Sequence, residues 1–201
     1  VSVNNLPTCW SNYNVGTSTS YSGYPIVYSS STYAHSGSNA MRFYTYTTAG
    51  TYADQVAILP PLDVNQYPLN TLQLSFQFRR NSASYSGKIV VGVMTNPSVI
   101  STFVPVDTLE AVGTTYEEAN VYFTNYTGTG NYIALMGPQP STGYNQVYVD
   151  DIVVDLIPPC PKPTGVTATA STQNSITLSW TAAAGADSYE IRYDKKGAFG
   201  W

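Results

Sequence analysis

Charge is what this sequence has least of. Asp, Glu, Lys and Arg make up 10% of its 201 residues, against about a quarter in an ordinary globular chain. Only eight residues are basic, and they never gather beyond the pairs Arg79–Arg80 and Lys195–Lys196. Gripping a phosphate backbone takes many cations on one face, so nucleic acid is not an expected partner. No apolar run approaches the roughly 18 residues of a membrane-spanning helix, so no membrane span is expected in this chain. There is a single histidine, and there are two cysteines, Cys9 and Cys160. No CxxC exists, which removes the common Cys/His metal clusters. The chain opens at Val1 without a Met or a signal-peptide pattern, as a processed or excised piece would.

Apolar residues reach 43%, so the chain can bury a core and is not of the disordered class. Tyrosine is abundant at 18, among many Ser, Thr and Asn. The surface must then consist of hydroxyls, amides and tyrosine rings. That composition suits secreted and cell-surface β-proteins, because Tyr and Thr favour strands.

Helical periodicity is scarce and period-2 alternation frequent. In Leu72–Phe78, Leu72, Leu74, Phe76 and Phe78 share one face. Lys88–Met94 repeats the pattern with Ile89, Val91 and Val93. In Ala40–Tyr46, Met41, Phe43 and Thr45 oppose Arg42, Tyr44 and Tyr46. Gln55–Leu59, Phe103–Leu109, Ala119–Phe123, Tyr132–Met136 and Val147–Leu156 complete the set. Gly-, Pro- and Asn-rich breakers separate these runs. Many short antiparallel strands mean a sandwich or a barrel, so the chain is all-β.

Residues 157–163 hold four prolines in seven positions, which favours a stiff, extended linker. The expected division is residues 1–157 as one domain, 158–163 as a proline-rich linker and 164–201 as a second module. Gly165–Ala170, Ser175–Trp180 and Ser188–Tyr193 are its strand candidates. The run Pro163-Thr164-Gly165-Val166, then Ile176-Thr177-Leu178-Ser179-Trp180, then Tyr189-Glu190-Ile191-Arg192-Tyr193 resembles the first half of a fibronectin type III domain. Such domains take about 100 residues, and only residues 163–201 are available here. The resemblance therefore implies a half-sandwich with Ile176, Leu178, Trp180 and Ile191 uncovered.

Four short motifs carry a second resemblance. They are Leu6-Pro7-Thr8-Cys9-Trp10, His35-Ser36-Gly37-Ser38-Asn39-Ala40-Met41, Gly130-Asn131-Tyr132-Ile133-Ala134-Leu135 and Val149-Asp150-Asp151-Ile152. Together they are similar to the MAM-like jelly rolls of bacterial surface proteins, including the cleaved-adhesin modules of secreted proteases. The resemblance implies a two-sheet jelly roll, a surface protein of a Bacteroides-like bacterium, and an adhesive or glycan-associated role. Adhesin modules of this type often carry an acidic calcium loop after the opening Trp. Ser11–Tyr24, the matching stretch, has no carboxylate at all.

Asp150 and Asp151 are the leading metal candidates. Strand neighbours point to opposite faces, so both serve one ion only across a bulge. The apolar parity does switch there: Val147 and Val149 share one parity, Ile152, Val154 and Leu156 the other. Calcium needs six to eight oxygens. By analogy with jelly rolls whose first and last strands share an ion, Asn5 and Asn39, with Asn4 or Ser38, would complete a structural calcium site. The plain alternative is that the two carboxylates accept turn or backbone hydrogen bonds.

Cys9 and Cys160 are either two free thiols or one disulfide closing a long loop. The bridge is the expectation, worth on the order of 4–5 kcal/mol in an oxidising compartment. A Ser-His-Asp triad would have to use His35, which sits in a turn with no nucleophile-elbow sequence. Glu110, Glu117 and Glu118 could in principle form a glycosidase pair, but Glu117 and Glu118 diverge on a strand and read as surface carboxylates. Arg79–Arg80 reads as a charged strand edge that prevents pairing.

Tyrosines among Ser, Gly and Asn are the binding candidates: Tyr13, Tyr21, Tyr24, Tyr33, Tyr85 and Tyr144. Aromatic faces stack on sugars while amides and hydroxyls read sugar hydroxyls. The expectation is thus a non-catalytic adhesion or carbohydrate-binding module of a secreted or cell-surface protein. Its partner would be a glycan or a host or cell-surface protein, next to other domains of a longer protein. A structural spacer is the second reading and a hydrolase the third.

Overall fold

The structure is a computed structural model, and it describes residues 5–14, 25–47, 54–159, 163–172, 175–183 and 186–191. Two compact units divide the chain, Val1–Leu156 and Ile157–Trp201.

Among the described residues, ten strands build the first unit. They are β1 (Ser11–Asn14), β2 (Ile26–Ser29), β3 (Asn39–Tyr46), β4 (Gln55–Ile58), β5 (Leu72–Arg80), β6 (Lys88–Met94), β7 (Val104–Glu110), β8 (Glu117–Tyr122), β9 (Tyr132–Gly137) and β10 (Tyr144–Leu156). All pair antiparallel, in two five-stranded sheets of order β1-β4-β9-β6-β7 and β2-β3-β10-β5-β8. From β3 to β10 the pairs β4-β9-β6-β7 and β3-β10-β5-β8 follow jelly-roll connectivity, as the sequence led one to expect. β1 and β2 are additional edge strands that the sequence reading did not include.

The two sheets face each other across one apolar layer. Met41, Phe43, Leu74, Phe76, Phe78, Val147 and Val149 from one sheet meet Ala57, Ile89, Val91, Val93, Ile133 and Leu135 from the other. A fully buried Phe or Leu in such a layer contributes about 1.5–3 kcal/mol. Alternation then sends Arg42, Tyr44 and Tyr46 of β3 to the outer face, as read from the sequence.

The β5–β10 pairing slips by one residue between Asp150 and Val153. Asp151 sits in this bulge with φ of 49°, a left-handed value that Asp tolerates better than most residues. The slip keeps the apolar side chains inward: Val147 and Val149 are fully buried, and Ile152 and Val154 pack against the same core. Leu156 departs from the expected pattern and is exposed.

One expectation is overturned. Arg79 and Arg80 do not mark an edge strand: β5 is an inner strand of the sheet, and just beyond its pairing with β8 the Arg80 N–H donates to Gly113 O at 3.2 Å. Arg79 stands opposite Tyr148 and Arg80 opposite Val147. Sequence alternation shows which face a strand buries but not which strands flank it.

The second unit contains β11 (Thr164–Ser171) and β12 (Ile176–Thr181), paired antiparallel. The expected third strand is absent over residues 188–191, and Arg192 and Tyr193 lie outside the described residues. Tyr189 is held by side-chain contacts instead. Its hydroxyl accepts the Ala183 N–H at 2.7 Å, and its ring meets Trp180 edge-on at 5.4 Å. Val166, Ile176 and Ile191 are more than half exposed, at 57%, 58% and 53%. Leu178 and Trp180, expected to be uncovered, are half-buried.

Candidate functional site

Register assembles an aromatic surface on the outer face of the β2-β3-β10-β5-β8 sheet. Tyr144 pairs with Tyr46, Gln146 with Tyr44, and Tyr148 with Arg42 on one side and Arg79 on the other. Since these positions alternate with core residues, all of them face outward.

At one end four tyrosines cluster around Tyr144. Its ring lies 4.4 Å from Tyr46, 5.1 Å from Tyr85 and 5.6 Å from Tyr44, and all four residues are half-buried. Tyr85 is brought there by backbone pairing. β10 has no β5 partner before Val147, and Ser86 takes that place. The Ser86 N–H donates to Tyr144 O at 2.8 Å, and the Gln146 N–H donates to Ser86 O at 3.2 Å.

Two buried amides anchor this end to the opposite sheet. Gln55 of β4 accepts the Tyr44 N–H at 2.7 Å and donates to Tyr44 O at 2.5 Å. Asn145 of β10 accepts the Lys88 N–H at 2.9 Å and donates to Lys88 O and Pro138 O, each at 3.0 Å. Both amides are 1% exposed, so each must satisfy its partners within the protein. Gly137 lets the sheets approach closely here, since a Cβ on it would lie 2.8 Å from that of Phe43.

At the other end the face is covered. The strap Ser31–Gly37, the turn between β2 and β3, lays Tyr33 flat on Tyr148 at 4.7 Å and 18°. Tyr148 is accordingly 1% exposed although it points outward. Guanidinium groups flank it. Arg42 lies 5.1 Å from the ring of Tyr28 and 5.3 Å from that of Tyr44. Arg79 lies 5.3 Å from Tyr33, 5.5 Å from Tyr116 and 5.3 Å from Tyr148. Such cation–π contacts contribute about 0.5–2 kcal/mol each. The Gln146 amide, with its oxygen toward Arg42, accepts from Nε at 2.9 Å and Nη2 at 3.0 Å. Burial raises the hydroxyl pKa of both Tyr116 and Tyr148; at Tyr148 the nearby Arg42 opposes it.

Asp150 and Asp151 clasp the strap. Asp150 Oδ2 accepts the backbone N–H groups of His35 at 2.8 Å and Ser36 at 3.1 Å. Asp151 Oδ2 accepts from His35 Nδ1 at 2.6 Å, and Asp151 Oδ1 from Ser36 Oγ at 2.5 Å. Asp150 Oδ1 takes the Asp151 N–H at 2.9 Å. The Ser36 and His35 hydrogen bonds, in that order, hold the Asp151 carboxyl below its ordinary pKa. Ser36, His35 and Asp151 do not form a nucleophile relay, because the hydroxyl proton points at the carboxylate rather than the imidazole.

The clasp bears on the calcium expectation. Asp150, Asp151 and Asn39 line a common cleft of about 250 Å³ with Pro7 and Trp10, and Asn5 is not among its walls. His35 and Ser36 offer protons where a calcium ion needs oxygen lone pairs. The donor set therefore fits a hydrogen-bonded clasp and does not fit calcium as it stands. Among the described residues no cluster of three or more His, Cys, Asp and Glu side chains is arranged for a metal.

The six sequence-picked tyrosines separate. Tyr85 and Tyr144 come together in the cluster around Tyr144, and Tyr33 belongs to the covered end. Tyr13 packs beside Val56, Ile58, Met94 and Ala134 of the other sheet. Tyr21 and Tyr24 lie outside the described residues, as does Cys160; Cys9 is exposed. Tyr44 and Tyr46, which join this cluster, were not among the tyrosines singled out in the sequence. The signal was there: they share a strand face opposite Met41 and Phe43. Glu117 accepts the Val112 N–H at 2.7 Å, and Glu118 pairs with Asn120 at 3.2 Å.

Known proteins resemble this arrangement in fold. No protein-family model matches the sequence, and no curated protein does. Among solved structures, the K1 cleaved adhesin domain of Lys-gingipain from Porphyromonas gingivalis W83 superposes with a TM-score of 0.54 at 14% identity. The match covers 75% of this chain and 92% of that one. The K2 domain gives 0.52 at 14% identity, covering 73% and 89%. The K3 domain from the same organism gives 0.50 at 15% identity, covering 75% and 92%. The chain thus shares the β-sandwich of cleaved adhesin domains. Among the described residues no helix is long and apolar enough to cross a membrane.

Proposed function

We propose that the first unit is a non-catalytic glycan-binding module, and that Tyr44, Tyr46, Tyr85 and Tyr144 are its binding surface. The carrying observation is the four-ring cluster around Tyr144, half-buried on a sheet face and fixed from below by Gln55 and Asn145. Aromatic faces bury the apolar C–H face of a sugar, and flanking amides and hydroxyls read its hydroxyl groups. A rigid platform loses little entropy on binding. Arg42 and Gln146 stand at its inner border. The adhesin-like sandwich supports the reading only as a scaffold, since folds host many functions. The setting that goes with it is a secreted or cell-surface protein of several modules, with a fibronectin-type second unit and a Cys9–Cys160 bridge. Intact mass under non-reducing conditions tests the bridge.

A glycan array tests the function, with the intact chain compared against Tyr144→Ala. Retention of defined glycans by the intact chain and their loss in the variant is the expected result. Equal retention by both would remove this surface as the site, and no retention by either would favour a spacer.

A further inference from the structure

We propose that the first unit carries a second ligand site, a cleft at the far end of the sandwich from Tyr144 that takes a single neutral sugar ring. This rests on the glycan-binding reading of the unit and adds a site to it, independent of the tyrosine cluster. Tyr144 and Leu156 are the two ends of β10, about 40 Å apart along the strand, and Leu156 pairs with Leu72. Residues 59–71 lead into Leu72, and the Phe123 N–H, at the start of residues 123–131, donates to Leu72 O at 3.1 Å. Between these two loops lies a cleft of about 250 Å³. Val64, Leu69 and Asn70 line it from the first loop, and Tyr126, Thr127 and Thr129 from the second. No Asp, Glu, Lys, Arg or His is among its walls. Both loops lie within the described residues from end to end.

The walls are fixed by the protein's own bonds. The Leu62 N–H donates to Asn131 O at 2.9 Å and ties one loop to the other. In the first loop Asp63 Oδ1 accepts the Asn65 N–H at 3.2 Å, the Thr71 hydroxyl donates to Pro68 O at 2.7 Å, and Leu69 is buried. The second loop winds around Tyr126, whose hydroxyl accepts the Gly130 N–H at 3.0 Å. Gly128 lies so close to that ring that a Cβ would run into it. The side chains of Asn70, Thr127 and Thr129 are not used in this way. All three residues are exposed, and among the described residues none is hydrogen-bonded to these side chains. An amide that donates and accepts, beside two hydroxyls, matches the neighbouring hydroxyl groups of a sugar. Val64, Leu69 and the Tyr126 ring supply the apolar wall for its C–H face. Without a charged side chain the cleft offers nothing to offset the desolvation of an ionic ligand. Its volume falls below the roughly 300–1,000 Å³ of clefts for drug-sized ligands, which limits it to one ring.

The experiment is amide NMR of the full chain titrated with glucose, galactose, mannose and N-acetylglucosamine. Each is taken to about 100 mM, enough to fill a site whose Kd is about 1 mM. At least one of them should shift the amide signals of Asn70 and of residues 127–130. Asn70→Ala and Thr129→Ala should each weaken that binding roughly fivefold, the loss of about one neutral hydrogen bond. The melting temperature should stay in place in both, since neither side chain is bonded within the fold. Tyr144→Ala should leave the shifts at the cleft unchanged. Glucuronate and glucosamine should bind more weakly than the neutral sugars, and equal or tighter binding of either overturns the neutral class. Shifts confined to the surface around Tyr144 overturn this site and leave the glycan reading in place. Shifts confined to the cleft keep this site and remove the tyrosine surface. No shift at the cleft with any sugar, or binding there that survives both substitutions undiminished, overturns the site, and the glycan array then decides the Tyr144 surface on its own.

Discussion

The two ends of one sheet face use the same residue type for opposite purposes. At the end around Tyr144 the rings of Tyr44, Tyr46 and Tyr85 gather on that of Tyr144, and all four residues are half-buried. At the strapped end Tyr28, Tyr33, Tyr116 and Tyr148 alternate with Arg42 and Arg79, so that rings and guanidinium groups fill each other's faces. Tyrosine content therefore does not mark a binding site. The described contacts separate the ends: Tyr33 lies stacked on Tyr148 at the strapped end, whereas at the other end the rings gather on Tyr144. The strapped end is a small polar–aromatic core built outside the sandwich, and the other end is the surface proposed to bind.

The largest expected effect comes from breaking the strapped end at its centre. Tyr148→Ala removes a ring that is 1% exposed, stacked on Tyr33 and flanked by two guanidinium groups. Truncating a buried aromatic costs about 3–5 kcal/mol. Denaturant unfolding should show a loss in that range. A loss under about 1 kcal/mol would mean that the strap does not pack as described. Gln55→Ala comes next and attacks the support of the Tyr144 end. It leaves the buried N–H and C=O of Tyr44 without their side-chain partner, which costs about 1–3 kcal/mol. Its signature is a joint loss of stability and glycan affinity with all four rings still present.

The contrast between the ends was only half legible in the sequence. Which residues point outward was readable, because Arg42, Tyr44 and Tyr46 alternate with Met41, Phe43 and Thr45. The bulge at Asp150–Asp151 was readable for the same reason, since the apolar parity changes there. Which outward residues meet was not readable. Tyr46 and Tyr144 are 98 positions apart in the sequence and are joined by sheet order and register, which alternation within one strand does not encode. The same gap produced the edge reading of Arg79–Arg80. It also favoured tyrosines in loops over the strand tyrosines that make most of the Tyr144 cluster. His35 and Ser36 as partners of the Asp pair were likewise hidden, although a clasp of hydrogen bonds was the stated alternative to calcium.

Tyr144→Ala is the complementary test at the other end. Tyr144 is half-buried and its ring neighbours are other half-buried tyrosines, so the stability loss should stay within about 1 kcal/mol. Glycan affinity should fall by roughly tenfold or more, equivalent to about 1.4 kcal/mol. Tyr148→Ala and Tyr144→Ala thus separate stability from binding. If Tyr144→Ala destabilises as much as Tyr148→Ala, the Tyr144 cluster is structural and the comparison collapses.

The smallest effect concerns the clasp and acid. The Asp151 carboxyl is held below its ordinary value of about 3.9 by Ser36 and His35. A carboxyl with a depressed native pKa stabilises the fold fully above its unfolded value, and that contribution is lost as pH falls through the native value. Melting temperature should therefore drop between about pH 4 and lower pH, where Asp151 takes up its proton and releases the strap. The side chain is 38% exposed, so solvent screens the interaction and the drop is modest. Two substitutions divide the cause. Asp151→Gly suits the φ of 49° but removes both side-chain bonds, whereas Asp151→Asn keeps a side-chain acceptor and cannot titrate. The Asn variant should lose the acid-dependent part of the melting curve while retaining most stability at neutral pH. Chelation with EDTA at neutral pH should leave the melting temperature of the unaltered chain in place. A rise on adding millimolar calcium would instead show that the Asp pair turns from His35 and Ser36 to an ion. An acid slope unchanged in Asp151→Asn would place the titrating group elsewhere and leave the strap held by Asp150 and the ring stack alone.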